Sequence, residues 1–193
     1  MTRLVLITVP EEVRLRACAG DEAARQAIYA AVAPATFALI RRLIGQRAAS
    51  EDVFQDTMMI FYKRLPQFRQ EAPLGAWLRR IAISRCLMHL RSPWHRARLY
   101  LDGGDGEAAL LSAALTTAAV PAEVLDVERA LATLAPTARA VIWMYEVEGY
   151  SHAEIAGAFG RSISFSKSQL ARAHRRLRAW FEPQGNRPTC TLI

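Results

Sequence analysis

Apolar residues recur along this chain at the three- and four-residue spacing of helices, with no run that alternates as a strand would. Phe54, Met58, Phe61 and Leu65 make one such stripe, and Leu74, Leu78, Ile81 and Met88 another. Ile83, Leu87 and Leu90 add a second apolar stripe to the latter segment, so it is expected to be buried on two sides. Breakers and caps divide the pattern into elements. Asp21 is a suitable N-cap for a helix running toward Pro34, and a second helix covers Ala35 to Gly45. Ser50 can cap a third, from Glu51 to Leu65, which Pro66 ends. After a loop holding Gln67, Glu71 and Pro73, a fourth helix runs from about Leu74 to Leu90 and stops before Pro93. Farther along, Pro121 and Pro136 stand where helices start.

The sharpest local pattern lies at residues 151–181. Ser151, His152, Ala153 and Glu154 spell a capping box at the head of a short helix reaching Phe159. Gly160 follows, then a longer basic helix from about Ser164 to Phe181. This is helix-turn-helix spacing, with a small Ala156 where two helices would touch and a glycine in the turn. At 100° per residue Ser164, Lys167, Ser168, Ala171, Arg175 and Arg178 share one face of the second helix, and Arg172 is counted with the candidate contacts. Leu170, Ala173, Leu177 and Phe181 fall on the opposite face. One side thus suits a core, and the other suits phosphates and base edges. A solvated arginine-rich helix is the plainer reading, but the cap, the turn and the segregation together favour DNA.

Composition adds direction. The chain has 193 residues, 52% hydrophobic and 22% charged, which excludes wholesale disorder and fibrous classes. Lys and Arg number 25 against 18 Asp and Glu, a net charge of +7 that suits a polyanion. All but Lys63 and Lys167 of the bases are arginine, a bias that codon usage alone would also produce. Placement matters more than the total. Arginines 79, 80, 85, 91, 96 and 98 fill a stretch without acids. Acids 102, 105, 107, 123, 126 and 128 then fill one without bases, and 161–178 is basic again. Two basic modules at about 10–98 and 121–182, an acidic flexible linker at 99–120 around Gly103-Gly104, and a tail at 183–193 are therefore expected. The expected fold is all-α, two small helical domains.

Several classes fall away. Cys18, Cys86 and Cys190 are scattered, so neither a disulfide framework nor a zinc site follows, and no cofactor or metal is indicated. No segment approaches a run of roughly 18 apolar residues, and a reducing cytoplasm is the default. The last four residues, Cys190 to Ile193, match the C-a-a-X prenylation pattern, which a four-residue string does easily by chance. His89, His95, His152 and His174 are isolated, and no catalytic constellation stands out, so the chain is not expected to be an enzyme.

The order of motifs then becomes specific. Glu51-Asp52-Val53-Phe54-Gln55-Asp56 precedes an aromatic-rich helix, followed by Phe68-Arg69 and then Ala76-Trp77-Leu78-Arg79-Arg80-Ile81-Ala82. Leu134-Ala135-Pro136 with Arg139, Glu148-Gly149-Tyr150-Ser151, Glu154-Ile155-Ala156 and Lys167-Ser168 come later. Over about 20–97 and 121–182 the sequence resembles a small two-domain sigma factor of the sigma-70 family, the extracytoplasmic-function (group IV) type. The resemblance implies a first domain that docks on the β′ clamp of core RNA polymerase and melts the minus-10 element. It implies a second domain near the β flap that reads the minus-35 element in promoter DNA. It also allows an anti-sigma factor that covers these surfaces, although no residue here specifies one.

Individual residues fit those roles. Asp52, Gln55 and Asp56 share one helix side, and an acidic patch in a basic domain suits a protein partner. Phe68 and Trp77 are candidate aromatics for an unstacked base, and Arg80, Ser84 and Arg91 continue Trp77's stripe as a single-strand track. Core packing is an equal reading for Trp77. In the second domain Arg139, Ser164, Lys167, Ser168, Ala171, Arg172 and Arg175 are the minus-35 candidates. Four positions depart from the family pattern: Ser84 stands where Asn is common, Tyr145 where a base often precedes Glu, Ser166 where an aliphatic residue packs, and Gln169 where a cation is usual. They point to altered promoter preference, and Ser166, if buried, needs a partner for its hydroxyl. A stand-alone helix-turn-helix regulator, tight on DNA without polymerase, is the alternative.

Overall fold

The computed structural model describes residues 4–92 and 122–182, and the chain divides into two compact units, Met1–Arg98 and Leu99–Ile193. The expected linker at 99–120, the helix start at Pro121, His95, the 183–193 tail and the Cys190–Ile193 pattern lie outside the described residues. Every regular element among the described residues is helical.

In the first unit a 3-10 turn, Leu4–Leu6, precedes α1 (Glu11–Cys18), α2 (Glu22–Ile44), α3 (Arg47–Arg64), a 3-10 turn at Leu65–Gln67, and α4 (Leu74–Arg91). α2 packs against α1, α3 and α4, and α3 packs against α4. Asp21 caps α2 as its sequence suggests: its carboxylate accepts from the Ala24 N–H at 3.1 Å and from Arg16 Nε at 2.8 Å. Those bonds, the backbone one foremost, hold the Asp21 carboxyl below its usual range.

Three expectations change here. α2 does not break at Pro34 but runs through it. The missing N–H costs a helix interior about 3 kcal/mol. Ile28, Val32, Leu39, Ile40 and Leu43 are buried along the same helix, and each such side chain contributes about 1.5–3 kcal/mol, so packing wins. Pro34 itself sits on the exposed side. Second, α2 is long and apolar enough to cross a membrane by length and composition, contrary to the expectation that no segment comes close. Its buried stripe is occupied by the neighbouring helices of the bundle. Third, Ser50 is not a cap. α3 starts earlier, at Arg47, and the buried Ser50 hydroxyl donates back to the Gln46 carbonyl at 2.6 Å.

Phe61 and Leu78 are fully buried in the core of the unit, and Leu65 and Leu74 are nearly so. Met88, expected on the apolar stripe, is instead 55% exposed. The first unit extends N-terminally beyond the expected start at about residue 10, since the Leu4–Leu6 turn packs against α4, and Leu4 and Ala17 are buried in it.

The second unit contains α5 (Ala122–Ala132), α6 (Pro136–Ile142), a π-helical turn at Trp143–Val147, α7 (His152–Phe159) and α8 (Ile163–Phe181). Its core is Leu134, Val141, Met144, Ile155, Phe159, Leu170 and Ala173. α8 packs on α5, α6 and α7. The capping box forms in full: the Glu154 N–H donates to Ser151 Oγ at 3.2 Å, and the Ser151 N–H donates to Glu154 Oε2 at 2.8 Å. Those bonds keep the Glu154 carboxyl ionised to lower pH than usual. Gly160 closes α7 in the left-handed region (φ 61°), where a glycine carries no Cβ penalty. Ser162 then caps α8 by accepting from the Phe165 N–H at 3.3 Å.

Candidate nucleic-acid interface

α8 is two-sided. Ser166, Leu170 and Ala173 are buried, whereas Ser164, Lys167, Ser168, Ala171, Arg172 and Arg175 are all exposed. Arg176 and Arg178 are exposed as well. The burial fades toward the C-terminus: Leu177 is half-buried, and Phe181, expected on the core face, is 57% exposed against Trp180 in an edge-to-face pair. Ser168 Oγ donates back to the Phe165 carbonyl at 2.9 Å, so its hydroxyl is partly engaged by its own helix.

Arg139 does not belong to that surface. It is 6% exposed, and its Nε donates to the Leu131 carbonyl at 2.8 Å, tying the end of α5 to α6. A buried guanidinium satisfies backbone acceptors because leaving either charge or carbonyl unpaired is costly. The sequence-based assignment of Arg139 to DNA is therefore corrected to a scaffold role.

Ser166 finds the partner it needs. Its Oγ, completely buried, lies 3.0 Å from His152 Nδ1, and the His152 ring stacks on Tyr145 at 4.6 Å between centroids. Two of the four departures, Tyr145 and Ser166, thus meet through one histidine that joins the π turn, α7 and α8. His174 on the exposed side of α8 meets Glu146 of the same turn at 3.0 Å. Sequence reading missed both bridges because their partners are 14 and 28 residues apart.

In the first unit, Trp77 is half-buried between two rings. It lies 5.6 Å from the fully buried Phe61 and 5.1 Å from Phe68 on the preceding loop. Trp77 therefore packs on the core through Phe61 and also meets Phe68, itself half-buried. Arg80, Ser84 and Arg91 follow on α4, all exposed. Gln70 in the loop holds a positive φ of 59°, which a non-glycine residue adopts at some cost.

Asp52, Gln55 and Asp56 are exposed on α3. Asp56 is not a lone charge, since Arg85 of α4 reaches it at 2.6 Å. Arg85 also directs Nη1 to the Met88 sulfur at 3.4 Å. Beside them burial pushes the His89 imidazole below its ordinary pKa, while the Asp52 charge acts the other way. One cation of the basic stretch on α4 thus serves as counterion to the acidic face, with the exposed Met88 beside it. Among the described residues no group of three or more His, Cys, Asp or Glu gathers to hold a metal.

Comparison with known proteins agrees with this two-module layout. The family description Sigma-70 region 2 matches residues 28–96, and Sigma-70, region 4 matches residues 125–177. The chain is 32% identical over 131 residues to the ECF RNA polymerase sigma factor SigM of Mycobacterium tuberculosis, covering 66% of this chain and 62% of that protein's length. It is 28% identical over 138 residues to the RNA polymerase sigma factor CnrH of Cupriavidus metallidurans, covering 67% of this chain and 71% of the relative. Among solved structures, the sigma factor RpoE of Bartonella quintana, crystallised with the anti-sigma factor NepR, superposes with a TM-score of 0.50 at 25% identity, over 82% of this chain and 97% of that one. With region 2 and region 4 matched in order, each on one helical unit, the chain belongs to the sigma-70 family of sigma factors, in its extracytoplasmic-function branch.

Proposed function

We propose that this chain is a cytoplasmic transcription initiation factor and not itself an enzyme: it binds core RNA polymerase and directs it to promoters. The first unit docks on the β′ clamp through Asp52, Gln55 and Asp56, where acids and an amide complement a basic partner. Its minus-10 track is Phe68, Trp77, Arg80, Ser84 and Arg91, with the Phe68–Trp77 pair offering a flipped base a stacking partner. The second unit, near the β flap, reads the minus-35 element with Ser164, Lys167, Ser168, Ala171, Arg172 and Arg175. An anti-sigma factor, as in the similar Bartonella structure, is the natural means of covering these surfaces.

The observation that carries the reading is the division of α8 into a buried side holding Ser166, Leu170 and Ala173 and an exposed hydroxyl- and guanidinium-bearing side, mounted behind a capped turn. That geometry leaves a helix free to enter the major groove. The test is co-elution with core polymerase on a sizing column, followed by transcription of genomic DNA by core with and without the chain. New, discrete start sites only in the mixture are expected. Failure to co-elute overturns the proposal, and tight sequence-specific binding to duplex without polymerase would replace it with a stand-alone regulator.

A further inference from the structure

We infer that residues 4–18 form a brace that fixes the loop 68–73 and the start of α4, making Gly75 a positioning residue for minus-10 capture; the inference rests on the base-capture reading above. The brace precedes the region 2 match, which begins at residue 28, while the loop and Gly75 that it contacts lie inside that match.

The segment touches both ends of the loop. α1 packs against the Leu65–Gln67 turn where the loop begins, and the Leu4–Leu6 turn packs against α4 where it ends. At the first end, Phe68 follows the turn directly, with its N–H donating to the Leu65 carbonyl at 3.2 Å. At the second end, α4 starts after Pro73, which offers no side-chain cap. The first N–H groups of a helix need acceptors from outside it. Here the Ile7 carbonyl supplies one, accepting from the Gly75 N–H at 2.9 Å.

That contact requires glycine. A Cβ on Gly75 would overlap the Leu4 carbonyl oxygen and come within 3.1 Å of Ile7 Cβ. Because the clash is with backbone, a larger residue would push the segment away. Trp77 lies two residues beyond Gly75, and its N–H donates to the Pro73 carbonyl at 3.1 Å. Phe68 and Trp77, the two rings assigned to the base, are therefore each within two residues of a braced point. A short loop pinned at both ends presents its rings with little conformational freedom left to lose when a base arrives.

The experiment uses the full chain with core polymerase and a promoter carrying a fluorescent base analogue in the minus-10 element. Four variants are compared with wild type: Gly75→Ala, removal of residues 2–9, the two combined, and Trp77→Ala. Core affinity and the preference for the intact minus-10 sequence over a base-substituted one are read alongside opening. We expect Gly75→Ala and the truncation each to slow opening about tenfold and to blunt the sequence preference, with core affinity within about twofold. The combined variant should be no worse than the truncation, because truncation removes the carbonyl that the added methyl meets. Opening within twofold of wild type in both brace variants, effects that multiply in the combination, or a parallel fall in core affinity overturns the brace. If those variants open normally while Trp77→Ala is impaired, the brace alone fails. If Trp77→Ala opens normally, the base-capture reading fails and takes the brace's role with it.

Discussion

Replacing Ser166 with Ala removes a hydroxyl that is fully buried and 3.0 Å from His152 Nδ1. The net loss for one such hydrogen bond is about 1 kcal/mol. The imidazole left behind is only half-buried, so water can replace part of what it loses, and the whole cost stays at the low end of the about 1–3 kcal/mol that an orphaned partner carries. The expected total is about 1–1.5 kcal/mol. His152→Ala removes the same bond and also the stack on Tyr145, for about 2 kcal/mol. The double variant should cost less than the sum by about 1 kcal/mol, since each single change has already broken the shared bond. In a unit of about 60 residues each kcal/mol moves the melting temperature by roughly 4–8 °C, so the coupling is readily measurable. Urea unfolding read through amide exchange of α8 isolates the second unit from the first. Effects additive within about 0.3 kcal/mol would refute the idea that Ser166 is held by His152.

Arg139→Met is expected to destabilise the second unit by about 2 kcal/mol, by removing a charge-assisted bond to the Leu131 carbonyl, while minus-35 affinity per folded molecule stays unchanged; a loss of affinity without loss of stability would return Arg139 to the DNA surface. Arg85→Ala releases Asp56 from its ion pair, so affinity for core polymerase should rise about twofold, a small gain because the pair is partly exposed, as titration of labelled chain with core will show. His89 titrates lower in the fold than in the unfolded chain, because burial disfavours its charged form. The unfolded state therefore binds the proton more tightly, and stability is full above the ordinary imidazole pKa of about 6.5 and declines as pH falls below it. Urea midpoints at pH 7.5 and pH 5 should diverge more in wild type than in His89→Gln; equal divergence would refute this.

What could be read from the sequence was what is decided locally. The Ser151–Glu154 box, the Gly160 turn and the two faces of α8 depend on residues within a turn or two of each other, and they appear where the pattern put them except at the C-terminal end of α8, where Phe181 is exposed. Pro34 misled because breaker rules price one missing N–H and not the row of buried aliphatic residues that outweighs it. Ser50 misled because a hydroxyl near a helix start can as well bond backward to residue i−4. The sequence reading assigns Arg139 to DNA and counts Arg85 only as one charge of a basic stretch. Their partners, a carbonyl eight residues away and a carboxylate 29 away, come from other elements. The fit of Leu4 and Ile7 over Gly75 joins segments some 70 positions apart, and no periodicity announces it.

The two-sidedness of α8 also bears on how such a protein can change over generations. Exposed substitutions away from caps and core shift stability by about 0.5 kcal/mol or less. Ser164, Lys167, Ala171, Arg172 and Arg175 can thus be exchanged one at a time while the fold persists, and each exchange offers a new preference to selection. Ser166 has no such liberty. Its inheritance is tied to that of His152, so a lineage that returns an aliphatic residue to that position is expected to let the histidine drift as well.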